Sequence, residues 1–328
     1  MKILLIYLMV LIPVAGFPQE SVTRTLKLMG SRFDLTVVAE NETEGNRYID
    51  MAVEEISRIE KMISSWDDQS QTAEIIRNAG LQPVKVSPEL FSLIQRCVKI
   101  SEITDGAFDI TYASMDRIWK FDGTMEKLPS EEEIKNSVSK VGYRNIVLDP
   151  EAGTVFLKNK GMKIGFGAIG KGYAADKAKQ LLISQGAEAG IINASGDLTT
   201  WGTKPDGSPW MVGITNPLNK NKVFSWFPLD NSSVVTSGNY EKFVEFNGVR
   251  YTHIIDPRTG WPVKGLTSVS IFAPKAELAD ALATSVFVMG KDAGLDFVNQ
   301  LPDIECIIVD GQGKITTSEN IELDTVKK

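Results

Sequence analysis

The chain has 328 residues, 43% of them apolar, with a formal charge of −7, one histidine and two cysteines. That length buries a full core, as one large domain or two intimate subdomains. The acidic balance argues against a nucleic-acid partner, which needs a basic footprint, and with one histidine and no CxxC or HExxH a zinc site lacks ligands.

The opening MKILLIYLMVLIPVAG carries a basic n-region at Lys2, an apolar run over 3–12, and small residues Val14 and Gly16 before Phe17. It reads as a secretory signal over 1–16, with the mature domain over 17–328, because the apolar run is too short to span a bilayer comfortably. An uncleaved segment would act as an anchor instead. No cysteine follows it, so a lipid-modified N-terminus is not supported. Cleavage takes away Lys2 and no acid, moving the formal charge from −7 to −8.

Stretches 25–28 and 33–38 alternate apolar and polar residues, and are expected to be two strand segments interrupted by a glycine kink at Met29-Gly30-Ser31. Ile49, Val53, Ile56, Ile59 and Ile63 recur at helical spacing, which predicts an amphipathic helix over 48–63. It runs into the polar loop Ser64-Ser65-Trp66-Asp67-Asp68, where Trp66 reads as a loop anchor. Ser87-Pro88-Glu89 opens a helix to about 103, with serine as N-cap and proline in the first turn. After Asp105-Gly106 comes Ala107-Phe108-Asp109, whose carboxylate suits either a cap or a ligand contact. Ser130 with three glutamates starts a short helix that fits the helix dipole, and a hairpin joins 145–148 to 154–157.

Lys163-Ile164-Gly165-Phe166-Gly167-Ala168-Ile169-Gly170-Lys171-Gly172-Tyr173 leads into a helix through about 184. Glycines before a helix let backbone N–H groups approach a phosphate, and Lys171 supplies a cation. The spacing is neither GxxxxGK[ST] nor a clean GxGxxG. Asn193-Ala194-Ser195-Gly196-Asp197 closes a short strand from 190. Strands follow over 210–214, 223–227 and 233–236. Next, two apolar runs flank Asn247-Gly248, the signal for a two-residue type I′ hairpin.

The only histidine, His253, falls near the end of that hairpin's second strand, ahead of Ile254, Ile255 and the turn Asp256-Pro257-Arg258-Thr259-Gly260. An imidazole there either packs structurally or walls a site, and the nearby Thr236, Ser237, Asp256 and Arg258 favour the site. A strand over 268–272 precedes a helix over 276–289 stopped by Gly290. Asp280 and Thr284, four apart, share one face of that apolar helix. Such a pair can share a hard cation or a buried water. A strand over 304–309, the turn 310–313 and one more short strand end the chain. Cys97 and Cys306 read as buried thiols. Hairpin-type alternation implies an α+β fold with a largely antiparallel sheet core and packed helices, and disfavours a doubly wound parallel one.

In order along the chain, MGS, SSWDDQSQTAEI, GAFDIT, IGFGAIGKGYAAD, NASGD, TSGNY, THIIDPRTGWPV and ADALATSVFVMG together resemble the ApbE family of periplasmic FAD:protein FMN transferases. The resemblance implies a single α+β domain of that family's T-fold-like type. It implies transfer of FMN from FAD, with Mg²⁺, to a threonine of an acceptor protein, releasing AMP. It also implies FAD contacts at Met29, Trp66, Ala107, Phe108, Asp109, the 165 position, Lys171 and Ile255. The metal would be held by the Ala168 carbonyl and the side chains of Asp280 and Thr284.

The implied acceptors are subunits of sodium-pumping (Nqr) or Rnf-type redox complexes, and the implied compartment is the periplasm. Gly165 departs from the aspartate that many members carry there, and Ala73 and Ile76 replace common Ser and Asn. A threonine hydroxyl is a weak nucleophile, so His253, the sole imidazole, is the candidate for handling its proton. A Mg²⁺-dependent FAD pyrophosphatase and a non-catalytic flavin-binding protein share most of these features.

Overall fold

The computed structural model describes residues 19–215, 223–239 and 243–321. The signal segment expected over 1–16 and Tyr240 of the TSGNY stretch lie outside them.

The chain opens with β1 (Glu20–Leu28) and β2 (Ser31–Ala39), which pair antiparallel with Leu28 opposite Ser31. Met29 and Gly30 both take positive φ, 50° and 70°, so the expected kink within one strand direction is a two-residue hairpin turn of the I′ kind. Four helical and sheet elements follow: α1 (Glu42–Ile63), α2 (Gln71–Arg77), β3 (Val84–Lys85) and α3 (Pro88–Ile103). α1 begins six residues before the expected start at 48, because Asn41 caps it by accepting from the Glu44 N–H. α2 was not foreseen from the SSWDDQSQTAEI stretch; its serine cap, Ser70, is the signal for it.

Next come α4 (Glu131–Ser137), β4 (Ile146–Asp149), β5 (Thr154–Leu157) and α5 (Gly170–Ser184). α4 has a complete capping box between Ser130 and Glu133. Then follow β6 (Ala189–Ala194), β7 (Asp197–Trp201), β8 (Trp210–Thr215), β9 (Val223–Leu229), β10 (Ser233–Gly238), β11 (Phe243–Phe246) and β12 (Val249–Thr252). The chain closes with β13 (Leu266–Ala273), α6 (Ala276–Met289), α7 (Lys291–Val298), β14 (Glu305–Asp310) and β15 (Ile315–Thr317).

Eight strands form one antiparallel sheet in the order β1-β2-β6-β7-β10-β13-β14-β15, which never departs from chain order. α1, α5, α6 and α7 lie side by side on one face in the same sequence as the strands they cover. Period-two alternation sorts the strands accordingly. Phe33, Leu35 and Trp201 meet α1 and α5 in the main core, while Val235, Val269 and Ile271 meet α6 in a second one. On the opposite face the β8/β9 hairpin lays Val212, Ile214 and Leu229 over Val234 and Ile307. The β11/β12 hairpin, turning at Asn247-Gly248 as expected, packs Val244 and Tyr251 against Trp119 and Ile134. Cys97 and Cys306 are buried free thiols.

Candidate functional site

Four elements meet at one place on the helix-covered face of the sheet. β7 starts at Asp197, directly after the turn Ser195-Gly196, whose φ angles of 58° and 101° give a third two-residue hairpin. Asp197 lies opposite Val235 of β10, so Asp197, Val235 and, two residues on, Ser237 share a face. α5 brings Lys171 in its first turn, and the ammonium is ion-paired with Asp197. α6 brings Asp280 and Thr284. The Gly172 N–H donates to Asp280 Oδ2 at 3.3 Å, and the Ser237 and Thr284 hydroxyls lie 3.5 Å apart.

The helices approach so closely here that a Cβ on Gly172 would land on the Ala276 carbonyl, so only glycine fits.

The electrostatics are unusual for a core. Asp197 is 2% exposed and Asp280 4%. Burial and the neighbouring Asp280 carboxylate push the Asp197 carboxyl well above the usual range, against the pull of Lys171. Asp197, paired with Lys171, lies against Asp280, and a hard cation bound there would relieve the repulsion between the two carboxyls. Oxygen donors from Asp280, Thr284 and the Ala168 carbonyl are of the right kind for Mg²⁺. Among the described residues no cluster of three or more His, Cys, Asp or Glu is present.

The glycine-rich loop ahead of α5 is held from below. The Gly165 N–H donates to the Ile110 carbonyl at 2.9 Å, and a Cβ on Gly167 would come within 2.5 Å of the Tyr112 hydroxyl. Tyr112 hydrogen-bonds to the Gly167 backbone, and burial raises its phenol pKa. Met29, on the β1/β2 turn, reaches the same spot, its Cε lying 3.8 Å from a Cβ built on Gly170. The Glu60 carboxylate accepts from the Met29 N–H at 3.1 Å and steadies that turn.

The remaining expected contacts divide. Ala107 and Phe108 are buried between the two cores, beside α6 and α5. Asp109 takes the cap role left open by its sequence. Its carboxylate accepts from the Thr111 N–H at 2.7 Å, the Thr111 hydroxyl at 2.6 Å and the Tyr143 N–H at 2.8 Å. Burial raises its pKa nonetheless.

His253 is half-buried immediately after β12, and Ile254 beside it is anchored in the α6 core with Ala107 and Leu282. Ile255 bridges Pro262 across the Asp256–Gly260 turn. Trp66 stands apart on its loop, 76% exposed, with the Arg117 guanidinium 4.7 Å above its ring.

Asp197 and Asp176 end the NASGD and IGFGAIGKGYAAD stretches and Ser237 stands among the polar neighbours of His253, but the sequence assigns none of them a role, and Tyr112 is not marked at all. For Asp197 the available signal was a Ser-Gly turn followed by an acid at a strand start. For the link from Ser237 to Thr284 nothing local gives a signal.

The chain as a whole is similar to known proteins. A profile described as the ApbE family matches residues 29–308. The chain is 31% identical to a FAD:protein FMN transferase of Klebsiella pneumoniae over 86% of its own length and 87% of that protein's. It is 32% identical to one of Treponema pallidum, over 80% of this chain and 76% of the other. Among solved structures, the ApbE protein of Thermotoga maritima superposes with a TM-score of 0.83 at 33% identity, covering 92% of this chain and 97% of that one. The apo flavinyl transferase ApbE of Pseudomonas stutzeri superposes with a TM-score of 0.81 at 25% identity, covering 92% and 95%.

Proposed function

The chain belongs to the ApbE family, and on that premise we propose that it moves FMN from FAD to a threonine hydroxyl of an acceptor protein, releasing AMP. The new bond joins the threonine oxygen to the FMN phosphorus, the pyrophosphate bond to AMP breaks, and the hydroxyl proton passes to a base. The observation that carries this reading is the convergence of Lys171, Asp197, Asp280 and Thr284 at the first turn of α5. A pyrophosphate under attack needs positive charge on its oxygens and a leaving group whose charge is neutralised.

The Ala168 carbonyl, Asp280 and Thr284 would hold Mg²⁺, which when bound supplies charge neutralisation at the phosphates. Lys171, kept in place by Asp197, presents its ammonium beside that position. Backbone N–H groups of the first α5 turn add partial positive charge at the helix N-terminus.

His253 is the base of this proposal, at a strand end where an acceptor segment can reach it. The flavin ring lies towards Trp66, whose open aromatic face offers a stacking surface. Met29, Ala107, Phe108, Asp109, Gly165 and Ile255 line the remainder. The acceptor is a subunit of a sodium-pumping or Rnf-type redox complex. The compartment is the periplasm, reached by the 1–16 signal.

The test is co-expression with a candidate acceptor domain and mass spectrometry of that domain. An FMN adduct in the wild type, absent with Asp280→Ala, is expected. Rapid, repeated AMP release from FAD without acceptor would replace the reading with a pyrophosphatase. No AMP with water or acceptor would replace it with simple flavin binding.

A further inference from the structure

α6 carries Asp280 and Thr284, yet its own N-terminus has no local cap. Lys275 occupies the cap position in an extended conformation and makes no side-chain bond to the first turn. The orphan donors are met from another helix. Asp176 of α5 accepts from the Ala276 N–H at 3.1 Å with one oxygen and from the Glu277 N–H at 2.9 Å with the other.

This contact lies one helical turn from Asp280 and on the same helix as Lys171, five residues before Asp176. Gly172, between them, makes the close approach to the Ala276 carbonyl and donates to Asp280. A second clamp acts on the same turn, where Arg96 of α3 pairs with Glu277.

We propose that Asp176 is a positioning residue for the cation site. By capping α6 from α5, it sets the height and rotation of α6 against the glycine-rich loop. The Ala168 carbonyl, on the α5 side, and the Asp280 and Thr284 oxygens, on the α6 side, are thereby held at one separation. This rests on the reading of those residues as the cation's ligands. A carboxylate accepting two backbone N–H bonds is well suited to the task. Helix donors left open at a buried terminus find other partners by shifting, and a shift of α6 moves both side-chain ligands together.

The experiment titrates Mn²⁺ against the full chain by electron paramagnetic resonance in the presence of ADP, whose pyrophosphate stands in for that of FAD. It compares wild type, Asp176→Asn, Asp280→Ala, and Asp176→Asn combined with Lys275→Ser. Asp176→Asn is expected to weaken Mn²⁺ binding about tenfold, the scale seen when a partner that orients metal ligands is lost. Lys275→Ser provides a cap from the chain itself and is expected to return affinity to within about threefold of wild type.

Thermal unfolding of each variant is recorded alongside. A lower midpoint with unchanged Mn²⁺ affinity would reduce Asp176 to a stabilising cap and overturn the proposal. So would weakened binding that Lys275→Ser leaves uncorrected. Wild-type binding by Asp280→Ala would instead remove the cation reading itself, a failure visible separately from that of Asp176.

Discussion

The two halves of the candidate site are built differently. The phosphate half, with Lys171, Asp197, Asp280 and Thr284, sits on helices and strands, and its acids are buried. The flavin and acceptor half, with Trp66, His253 and Ile255, sits on a loop and on the chain leaving a two-stranded hairpin. A group on a rigid element holds its geometry without ligand, whereas loops vary and carry selectivity. On the proposed function, the phosphate chemistry would rest on the rigid core and acceptor recognition on segments where sequence can change cheaply.

Substitutions should expose that division. Asp280→Ala strikes the phosphate half and is expected to lower FMN transfer about 10³-fold, read as the rate of adduct formation by mass spectrometry. His253→Asn strikes the acceptor half and should cost about 10²-fold in that rate, the low end for loss of a proton-transfer group. Its binding of FAD should be unchanged, and a normal rate at saturating FAD and Mg²⁺ would remove His253 from proton handling. Trp66→Ala should raise the KM for FAD about two- to tenfold with kcat little altered, since an aromatic pair contributes roughly 0.5–1.5 kcal/mol. If Trp66→Ala lowered kcat as strongly as Asp280→Ala, the division between the halves would collapse.

One further expectation concerns pH and the core alone, and is read in stability rather than in activity. Burial pushes the Asp176 carboxyl up to about 6 from 3.8, although the Ala276 and Glu277 N–H groups and Lys179 pull it down and Glu277 adds a slight push upward. A carboxyl with a raised folded-state pKa binds its proton more tightly folded than unfolded. Stability from this group is therefore highest in acid and falls as pH rises from about 4 to about 6. Urea unfolding at pH 4.5 and pH 7 should show a wild-type decline that is smaller in Asp176→Asn.

Apolar periodicity made α1 readable, the Ser87-Pro88-Glu89 start made α3 so, the glycine-rich turn and the Gly290 stop pointed to α5 and α6, and Asn247-Gly248 announced its hairpin outright. Met29-Gly30 did not announce one, because methionine at positive φ is no turn signal; the Glu60 carboxylate that steadies it comes from α1. The short helices α2 and α7 escaped because a seven- or eight-residue segment shows barely two turns of period. Asp280 and Thr284 stood out as polar residues on an apolar helix.

Their partner Asp197 could not be found that way. Its proximity depends on strand register, on α5 crossing β7, and on α6 lying beside α5, none of which is local. The same holds for Arg117 over Trp66 and for the three donors that occupy Asp109.

The strand order β1-β2-β6-β7-β10-β13-β14-β15 has a kinetic consequence. Each strand joins the sheet beside the one that preceded it in the chain, so the sheet can grow from one end as a polypeptide emerges. Closing a loop costs more with length only slowly, about 0.6 kcal/mol per doubling. The long closure, from β2 at Ala39 to β6 at Ala189, spans the segment that contains α1 to α5. Once that closure is made, the later strands add across much shorter spans. Folding should therefore show one slow phase set by the β2–β6 pairing, and a shortened connection between Ala39 and Ala189 should speed it while leaving the later pairings alone.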